Sequence, residues 1–279
     1  MTRELEAGSV VVVTGAGMGM GELYAHRAVA SGAAGVALWD IDREQVNRVA
    51  ADLARLGVTA RAYVVNVADR KAVAKAAAQT LADFGRVDVL INNAGIVRGK
   101  RFWEHDAESD IELTMQVNTL APMWITRELL PAMMKSGRRA RILNVASAAG
   151  TLANPGMSVY AASKWAMIGW SESLRLELEA DKHPQITVTT FCPSYISTGM
   201  FAGARGPLLT PIMTPKKAVD AAWNGLLAGR ALVMKPWTVK LAMALRGVLP
   251  TRAWDVIAGR VFHVYSSMDA FTGRPGAER

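Results

Sequence analysis

The chain has 279 residues, of which 51% are hydrophobic and 20% are charged, and its formal net charge is +8. This composition is typical of a globular protein and excludes a disordered chain, a collagen-like repeat and a disulfide-rich scaffold. No stretch reaches the roughly 18 consecutive apolar residues that span a membrane. Residues 1–7 lack the apolar core of a signal peptide, and the lone cysteine, Cys192, fits a reducing compartment. We therefore expect a cytoplasmic protein.

The first two thirds of the chain alternate short apolar runs with helical patterns. We predict strands at residues 9–13, 35–39, 62–65, 87–91, 141–145, 185–191 and 231–234. We predict helices at residues 20–31, 42–56, 69–84, 107–135, 157–181 and 215–229. This alternation favours an α/β fold: a doubly wound parallel sheet of seven strands with helices on both faces. Ligands bind such a sheet at the carboxyl ends of its strands.

A glycine-rich turn follows the first strand directly and reads Thr14-Gly15-Ala16-Gly17-Met18-Gly19-Met20-Gly21. Glycines permit a tight turn and let backbone N–H groups approach a pyrophosphate at a helix N-terminus. The common G-x-G-x-x-G spacing is not met, because Met20 stands where the third glycine belongs. The position of the turn between a strand and a helix still predicts a dinucleotide site of the Rossmann type.

Asp40 ends the second predicted strand, 19 residues after Gly21. A carboxylate at this spacing can accept hydrogen bonds from the adenosine ribose and would repel a 2′-phosphate, which favours NAD over NADP. An alternative role is the N-cap of the next helix, which Asp42 could fill instead. Arg43 lies close enough to tolerate a phosphate, so the preference for NAD is open at this point.

Tyr160 and Lys164 begin a predicted helix and are four residues apart, so both lie on one helix face. A neighbouring cation is expected to lower the tyrosine pKa and make Tyr160 a general acid or base. Ser147 lies just past the fifth predicted strand, where its hydroxyl could bind a substrate carbonyl. A serine hydrolase is disfavoured, because Ser147 has no Gly-x-Ser-x-Gly context.

Taken in order, these motifs resemble the short-chain dehydrogenase/reductase family, in its single-domain branch, over about residues 8–230. The motifs that carry the resemblance are Thr14-Gly15-x-x-x-Gly19-x-Gly21, Asn92-Asn93-Ala94-Gly95, Asn118, Ser147 and Tyr160-x-x-x-Lys164. The resemblance implies that Tyr160 exchanges a proton with the substrate oxygen, and that Lys164 lowers the tyrosine pKa and holds the nicotinamide ribose. It also implies that Ser147 orients the substrate and that Asn118 positions a water in a proton relay.

The residue patterns and the resemblance together predict the cofactor contacts. These are Gly15, Gly17, Met18, Gly19, Met20, Gly21, Asp40, Ile41, Asn66, Val67, Asn93, Ala94, Gly95, Tyr160, Lys164, Pro193, Ile196 and Thr198. The chain departs from the family at two places. Asn66 replaces the usual aspartate after the third strand, and Pro193-Ser194 replaces the usual Pro-Gly after the sixth. We expect neither departure to affect the catalytic residues.

Four histidines, His26, His105, His183 and His263, show no metal-ligand spacing, so no metal is predicted. Substrate-facing segments are expected at residues 148–158 and 194–213 and in the C-terminal tail. Their apolar residues are Leu152, Met157, Tyr195, Met200, Phe201, Leu208, Leu209, Ile212 and Met213. They support a lipophilic alcohol or ketone as substrate, although the packing of a lid explains any single one of them equally well.

Residues 231–279 differ from the family's usual short ending and carry seven basic and three acidic side chains. Apolar residues recur there at helical spacing, first as Trp237, Leu241, Ala244 and Leu245, and then as Trp254, Ile257, Val261 and Val264. Three interpretations are open: contact with an anionic membrane surface, a lid or subunit contact, and packing on the core. A solvated basic tail explains the charge equally well.

The sequence thus predicts one dinucleotide-binding catalytic domain over residues 1–279, with residues 231–279 as a helical C-terminal extension. The predicted activity is hydride transfer between NAD(H) and a lipophilic secondary alcohol or ketone. An NADP-dependent carbonyl or ketoacyl reductase and a non-catalytic dinucleotide-binding protein are the alternatives. No nucleic-acid partner is expected, because no basic helix with interleaved aromatic residues is present. The resemblance implies a homodimer or homotetramer formed by the helices around Asn118 and Tyr160.

Overall fold

A seven-stranded parallel sheet forms the centre of the computed structural model, which describes residues 4–273. Its strands are β1 Val10–Thr14, β2 Gly35–Asp40, β3 Thr59–Val64, β4 Val89–Asn92, β5 Ala140–Val145, β6 Ile186–Pro193 and β7 Leu232–Lys235. The strand order is β3-β2-β1-β4-β5-β6-β7. The chain therefore winds outward from β1 in one direction and from β4 in the other, which confirms the predicted doubly wound sheet.

Helices cover both faces of this sheet. They are α1 Gly19–Ala30, α2 Arg43–Ala54, α3 Arg70–Phe84, α4 Leu113–Met115, α5 Ala121–Ser136, α6 Ser158–Ala180, α7 Pro215–Leu227, α8 Trp237–Val248 and α9 Thr251–Val256. Local capping explains where several of them begin. The carboxylate of Asp42 accepts from the Gln45 amide at the start of α2. The carboxylate of Asp69 accepts from the Lys71 and Ala72 amides at the start of α3.

Two apolar cores lie on opposite faces of the sheet, because successive residues of a strand point to opposite sides. Val11 and Val13 pack on the face that α1, α2 and α7 cover. Val12 packs on the other face, which α3, α5 and α6 cover. Burial on both sides explains why β1 is a continuous run of valines rather than an alternating pattern.

The structure corrects two predicted elements. The third strand was predicted at residues 62–65, but β3 begins at Thr59. It is an edge strand whose residues are all exposed or half-buried, so it lacks the continuous apolar run of a central strand. The helix predicted at 107–135 is present without interruption, but it contains π-helical turns at Ala107–Glu112 and Gln116–Leu120. The second of these turns contains Asn118.

The crossover between the two halves of the sheet lies between β1 and β4. There the Oγ1 atom of Thr14 accepts from the backbone N–H groups of Asn93 and Ala94, both at 3.0 Å. The turn after β1 and the turn after β4 are thereby joined at the carboxyl edge. In open α/β sheets, ligands bind in the crevice that forms at such a reversal of strand order.

The C-terminal extension lies beside β7, with α8 following that strand almost directly. Trp254 and Ala258 are buried against Leu152 from the segment after β5. Within residues 4–273, no helix is both long enough and apolar enough to cross a bilayer. Three charged residues counted in the predicted basic tail, Arg274, Glu278 and Arg279, lie outside the described residues.

Burial in the central strands leads us to expect that two matched substitutions change the free energy of unfolding by different amounts. Ile91 is fully buried between Val13 and Leu143, whereas Ile41 is 66% exposed. We expect Ile91→Val to lower the free energy of unfolding by about 0.5–1.5 kcal/mol, because it leaves a methyl-sized gap. Ile41→Val should change it by less than about 0.5 kcal/mol. Denaturant unfolding followed by circular dichroism measures both, and equal effects would contradict this description of the core.

Candidate active site

The turn after β1 brings the backbone unusually close to itself. Gly15 has a φ of +63°, a conformation that glycine adopts without strain. A Cβ atom on Gly21 would overlap the carbonyl oxygen of Gly15, so only glycine fits there. Helix α1 begins at Gly19, and no side chain among the described residues caps it. A helix N-terminus without a side-chain cap has amides that an anion can bind.

The two methionines of this turn lie in different surroundings. Met18 precedes α1 and is 39% exposed. Met20 lies one residue into α1 and is partly buried against the apolar core on the side of α1 and α7. Met20 therefore packs against the core at the position where the G-x-G-x-x-G pattern has glycine. The close approach to the Gly15 carbonyl is made by Gly21 instead.

Asp40, at the end of β2, is directed at the glycine turn. Its Oδ2 atom accepts from the Gly17 amide at 2.7 Å, and its Oδ1 atom accepts from the Asp42 amide at 2.9 Å. The helix-capping role falls to Asp42, as the alternative interpretation of Asp40 allowed. Asp40 is thus positioned as an acceptor beside the turn, and the next residue, Ile41, is largely exposed.

The amide-rich turn after β4 is held against the glycine turn. The side-chain Nδ2 of Asn93 donates to the backbone oxygens of Thr14, at 3.0 Å, and Gly15, at 3.2 Å. Asn93 and Ala94 also bond Thr14 through their backbone. These hydrogen bonds fix the distance between the two turns.

Asn118 and Lys164 converge on the next residue, Gly95. The Asn118 amide accepts from Ile96 N–H at 2.9 Å and donates to the Ile96 carbonyl at 2.8 Å. An ideal Cβ atom built on Gly95 would lie 3.2 Å from Asn118 Oδ1 and 3.6 Å from Lys164 Nζ. The π-helical turn containing Asn118 therefore places its side chain beside the Lys164 ammonium, 46 residues further along the chain.

Ser147, Tyr160 and Lys164 form one buried group. Ser147 is 9% exposed, and Tyr160 and Lys164 are each 4% exposed. The two α6 residues lie one helical turn apart, with Lys164 Nζ 5.7 Å from the centre of the Tyr160 ring. Ser147 lies close enough to Tyr160 to lower the pKa of its phenol. Lys164 Nζ donates to the Val145 carbonyl at the end of β5, at 2.9 Å.

Burial dominates the protonation of this group. It raises the pKa of the Tyr160 phenol, and the nearby Ser147 side chain offsets the rise only in part. The predicted lowering of this pKa by Lys164 is therefore wrong for this structure. The ammonium is bonded to the Val145 carbonyl instead of the phenol. Burial also lowers the pKa of Lys164 to about 8, because an ammonium loses its hydration in an apolar interior.

The remaining predicted contact residues lie at the same carboxyl edge. Asn66 is exposed after β3, and Val67 beside it is buried. Pro193 ends β6, and Ile196 pairs with Met213 further along the chain. Thr198 approaches the glycine turn, since an ideal Cβ on Gly19 would lie 3.9 Å from its Cβ and Cγ2 atoms. The structure thus brings the segment after β6 to the turn after β1.

An apolar cavity opens next to Ser147. Of the predicted substrate-facing residues, Leu152, Met157, Tyr195, Phe201, Leu208 and Leu209 line it, while Met200, Ile212 and Met213 do not. The C-terminal extension supplies much of the rest, through Trp237, Thr238, Val239, Leu241, Ala242, Leu245, Trp254, Phe262 and Val264. Helices α8 and α9 therefore cover the cavity, which is the arrangement that the lid interpretation predicts.

A polar network in this cavity had no signal in the sequence. Asn154 Nδ2 donates to the Tyr195 hydroxyl at 3.2 Å and to the Ser267 hydroxyl at 3.0 Å. The two hydroxyls lie 2.8 Å apart. Tyr195 and Ser267 are 72 residues apart in the chain, so no local spacing connects them. The network ties the C-terminal extension to the segments after β5 and β6.

The structure places His105 among charged side chains. Its Nδ1 atom lies 3.5 Å from Asp110 Oδ2, and Lys100 Nζ lies 2.8 Å from the same carboxylate oxygen. Across residues 4–273, histidine, cysteine and acidic side chains form no group of three or more that could hold a metal ion.

Comparison with known proteins agrees with this geometry. A family model described as short chain dehydrogenase matches residues 9–207. Epidermal retinol dehydrogenase 2 of Mus musculus is 36% identical over 279 residues, which is 98% of this chain and 88% of that protein. Estradiol 17-beta-dehydrogenase 11 of Macaca fascicularis is 33% identical over 260 residues, which is 93% of this chain and 85% of that protein.

Two solved structures have a similar fold. One is a short chain dehydrogenase/reductase from Burkholderia phymatum in complex with NAD, with a TM-score of 0.79 and 24% identity over 86% of this chain and 93% of that one. The other is a metagenomic short-chain oxidoreductase in complex with NADP, with a TM-score of 0.69 and 29% identity over 82% of this chain and 96% of that one. On the family model and these relatives, the chain belongs to the short-chain dehydrogenase/reductase family of oxidoreductases.

Proposed function

We propose that the chain is an NAD-dependent dehydrogenase that interconverts a lipophilic secondary alcohol and its ketone. The observation that carries this proposal is the apolar cavity that Ser147 lines, with the buried Tyr160 close to Ser147. A substrate carbonyl or hydroxyl beside Ser147 would contact the serine hydroxyl, while the rest of the substrate contacts apolar side chains. The names of the two relatives, a retinol and an estradiol dehydrogenase, both support a lipophilic alcohol as substrate, and the estradiol dehydrogenase supports a secondary one, since retinol is a primary alcohol.

The residues at the carboxyl edge fit a nicotinamide dinucleotide. The close approach of Gly21 to Gly15 and the uncapped start of α1 suit a pyrophosphate. The Asp40 carboxylate, beside the Gly17 amide, suits the adenosine ribose. The Asn93 turn and Lys164 would hold the nicotinamide ribose. When bound, the nicotinamide supplies the carbon that accepts or donates the hydride.

Oxidation of an alcohol removes a hydride from carbon and a proton from oxygen. Residues of this chain accept and donate the proton. When a ketone is reduced, the buried Tyr160 phenol donates the proton to the substrate oxygen, and when an alcohol is oxidised the Tyr160 phenolate takes the proton back. Ser147 orients the substrate oxygen by a hydrogen bond. Lys164 lies one helical turn from Tyr160, with its ammonium bonded to the Val145 carbonyl, and Asn118 lies beside it.

Asp40 gives the test of cofactor choice. We expect the unaltered chain to bind NAD more tightly than NADP. Asp40→Ala should weaken NAD binding about ten- to hundredfold, because a charge-assisted hydrogen bond is lost, with a smaller effect on NADP. Titration of each dinucleotide, followed by protein fluorescence, measures both affinities.

The matched control is Asp42→Ala, which removes the cap of α2 and should cost about 1 kcal/mol of stability without changing the cofactor preference. If Asp40→Ala weakened the binding of NAD and of NADP equally, the substitution would have damaged the glycine turn rather than removed ribose recognition. Tighter binding of NADP by the unaltered chain would overturn the NAD assignment.

An NADP-dependent carbonyl or ketoacyl reductase is the second candidate. Arg43 is exposed just beyond Asp42, and the metagenomic structure in complex with NADP supports this alternative. Arg48 is a weaker candidate for a phosphate, because it pairs with Glu22 at 2.8 Å. A non-catalytic dinucleotide-binding protein is the third candidate, and the buried grouping of Ser147 with Tyr160 argues against it.

We further propose a homodimer or homotetramer in the cytoplasm. The helices around Asn118 and Tyr160 expose Leu120 at 38%, Trp165 at 42% and Leu176 at 53%, which supports a subunit contact there.

Cys192 is buried and unpaired, which supports a reducing compartment.

A further inference from the structure

Four apolar residues mark the entrance of the cavity. Leu208, Leu209, Trp237 and Leu241 line the cavity and are nevertheless 52%, 66%, 66% and 43% exposed. Residues that both line a cavity and contact solvent lie at its opening. We name these four residues the entrance rim. A large apolar side chain is not expected to be so exposed by chance at four places around one opening, so the rim marks an interaction surface.

The two halves of the entrance rim are held together. The Oγ1 atoms of Thr210, after Leu209, and Thr238, after Trp237, lie 3.0 Å apart. The Leu208 amide donates to the Phe262 carbonyl at 2.9 Å. The rim is therefore a single constructed surface, made from the segment after β6 and the start of α8, rather than two independent loops.

Leu209 is exposed in spite of an unfavourable backbone conformation. Its φ is +62°, in the left-handed region that glycine and asparagine adopt at lower cost than leucine. Neither folding nor solubility explains an exposed leucine at this position. Leu209 is 66% exposed in this conformation, and such strain is commonly retained where a residue has a binding role.

The two segments that form the entrance rim are basic. Residues 205–214 and 235–250 contain four basic side chains and no acidic one. Arg205, Lys235 and Lys240 are exposed and form no ion pair within the described residues. Lys240 follows Trp237 by three residues on α8, so its ammonium and the indole ring lie on neighbouring parts of the same helix surface.

We propose that the entrance rim docks on the surface of an anionic lipid bilayer. Apolar side chains that enter the headgroup region, surrounded by lysine and arginine, are the features by which peripheral proteins bind such a surface. The open end of the cavity then faces the bilayer, and a lipophilic substrate passes into it without crossing water. A second copy of this chain is the poorer occupant, because a two-fold contact would place these basic side chains against one another.

Vesicle sedimentation with the purified full chain tests this surface. We expect more binding to phosphatidylcholine vesicles that contain phosphatidylserine than to phosphatidylcholine alone, with a decrease as salt is raised. Lys240→Gln should weaken binding about fivefold. Leu209→Asn should weaken it about tenfold, because a leucine side chain is lost from the interface. Asparagine suits the left-handed backbone there, so this variant should fold as well as the unaltered chain.

Matched controls lie at the opposite edge of the sheet. Leu56, between α2 and β3, is 61% exposed, and Lys71 is exposed on the first turn of α3. We expect Leu56→Asn and Lys71→Gln to bind vesicles as the unaltered chain does. Brominated lipid chains should quench part of the tryptophan fluorescence, and Trp237→Phe should remove that quenched part.

Vesicle binding is measured without substrate or cofactor, so its outcome is separate from that of the proposed activity. Equal binding to both kinds of vesicle, or unchanged binding by Leu209→Asn and Lys240→Gln together, would overturn the proposal. If Leu209→Asn changes the oligomer size in solution and leaves vesicle binding unchanged, the rim is a subunit contact and the proposal is also wrong.

Discussion

We expect Tyr160→Phe to reduce turnover by at least about a hundredfold while the variant binds the dinucleotide as the unaltered chain does. The substitution removes one oxygen atom, the group proposed to exchange the proton with substrate. The ring itself remains, packed edge-on against Phe201 with ring centres 5.8 Å apart. The fold and the cavity should therefore persist. Steady-state turnover of an apolar alcohol and dinucleotide titration measure the two quantities.

Tyr63→Phe is the matched control for this substitution. Its hydroxyl donates to Asp83 at 2.7 Å on the edge strand β3, away from the cavity. We expect this variant to keep full turnover, although it also loses one hydrogen bond. If Tyr160→Phe kept turnover within about tenfold of the unaltered chain, the phenol would not be the proton-transfer group.

Lys164→Met should change how the stability of the chain depends on pH. Burial lowers the Lys164 pKa from 10.5 to about 8 in the folded chain. Between these two pH values the unfolded chain binds a proton that the folded chain does not, so raising the pH favours folding. The unaltered chain should gain about 3 kcal/mol of stability over this interval relative to Lys164→Met, since each unit of pKa difference is about 1.4 kcal/mol.

Denaturant unfolding at a series of pH values measures this difference. Other groups titrate in the same interval, so the quantity of interest is the difference between the two stability curves rather than either curve alone. Below about pH 8 the folded chain carries the full cost of the buried charge, and this cost disappears as the pH rises. Lys71→Met, on the exposed surface, should give a curve parallel to that of the unaltered chain. Parallel curves for Lys164→Met would show that the ammonium is not buried.

Local spacing explains why much of the site could be predicted from the sequence. The glycines after β1 lie within one turn, and Tyr160 and Lys164 lie within one helical turn, so their proximity follows from helix and turn geometry. The parallel sheet then places Ser147 at the same edge as the glycine turn, because every strand ends there. These inferences need no knowledge of side-chain packing.

The features that the sequence did not reveal depend on contacts between distant residues. Asp40 bonds the Gly17 amide, 23 residues earlier, and Asn154 joins Tyr195 to Ser267. No periodic pattern records such pairs. The pKa of Tyr160 was predicted in the wrong direction for a related reason. The spacing to Lys164 is visible in the sequence, but the extent of burial is not.

The C-terminal extension contains both a feature that the sequence predicted and one that it did not. Its apolar periodicity correctly indicated helices, which the structure contains as α8 and α9. The same periodicity could not show which surface each residue meets. Trp254 is buried, whereas Trp237 is 66% exposed at the cavity opening. The distinction depends on where the cavity lies, and that is set by the segments after β5 and β6.

The most direct test of the account is turnover of a graded panel of secondary alcohols with NAD, followed by the absorbance of NADH. We expect turnover that increases with the apolar size of the alcohol, since the cavity beside Ser147 is lined mainly by apolar side chains. This turnover should be absent from Tyr160→Phe measured beside it. If no alcohol with NAD, and no ketone with NADH, reacts faster than in Tyr160→Phe, the proposed hydride transfer at this site is contradicted.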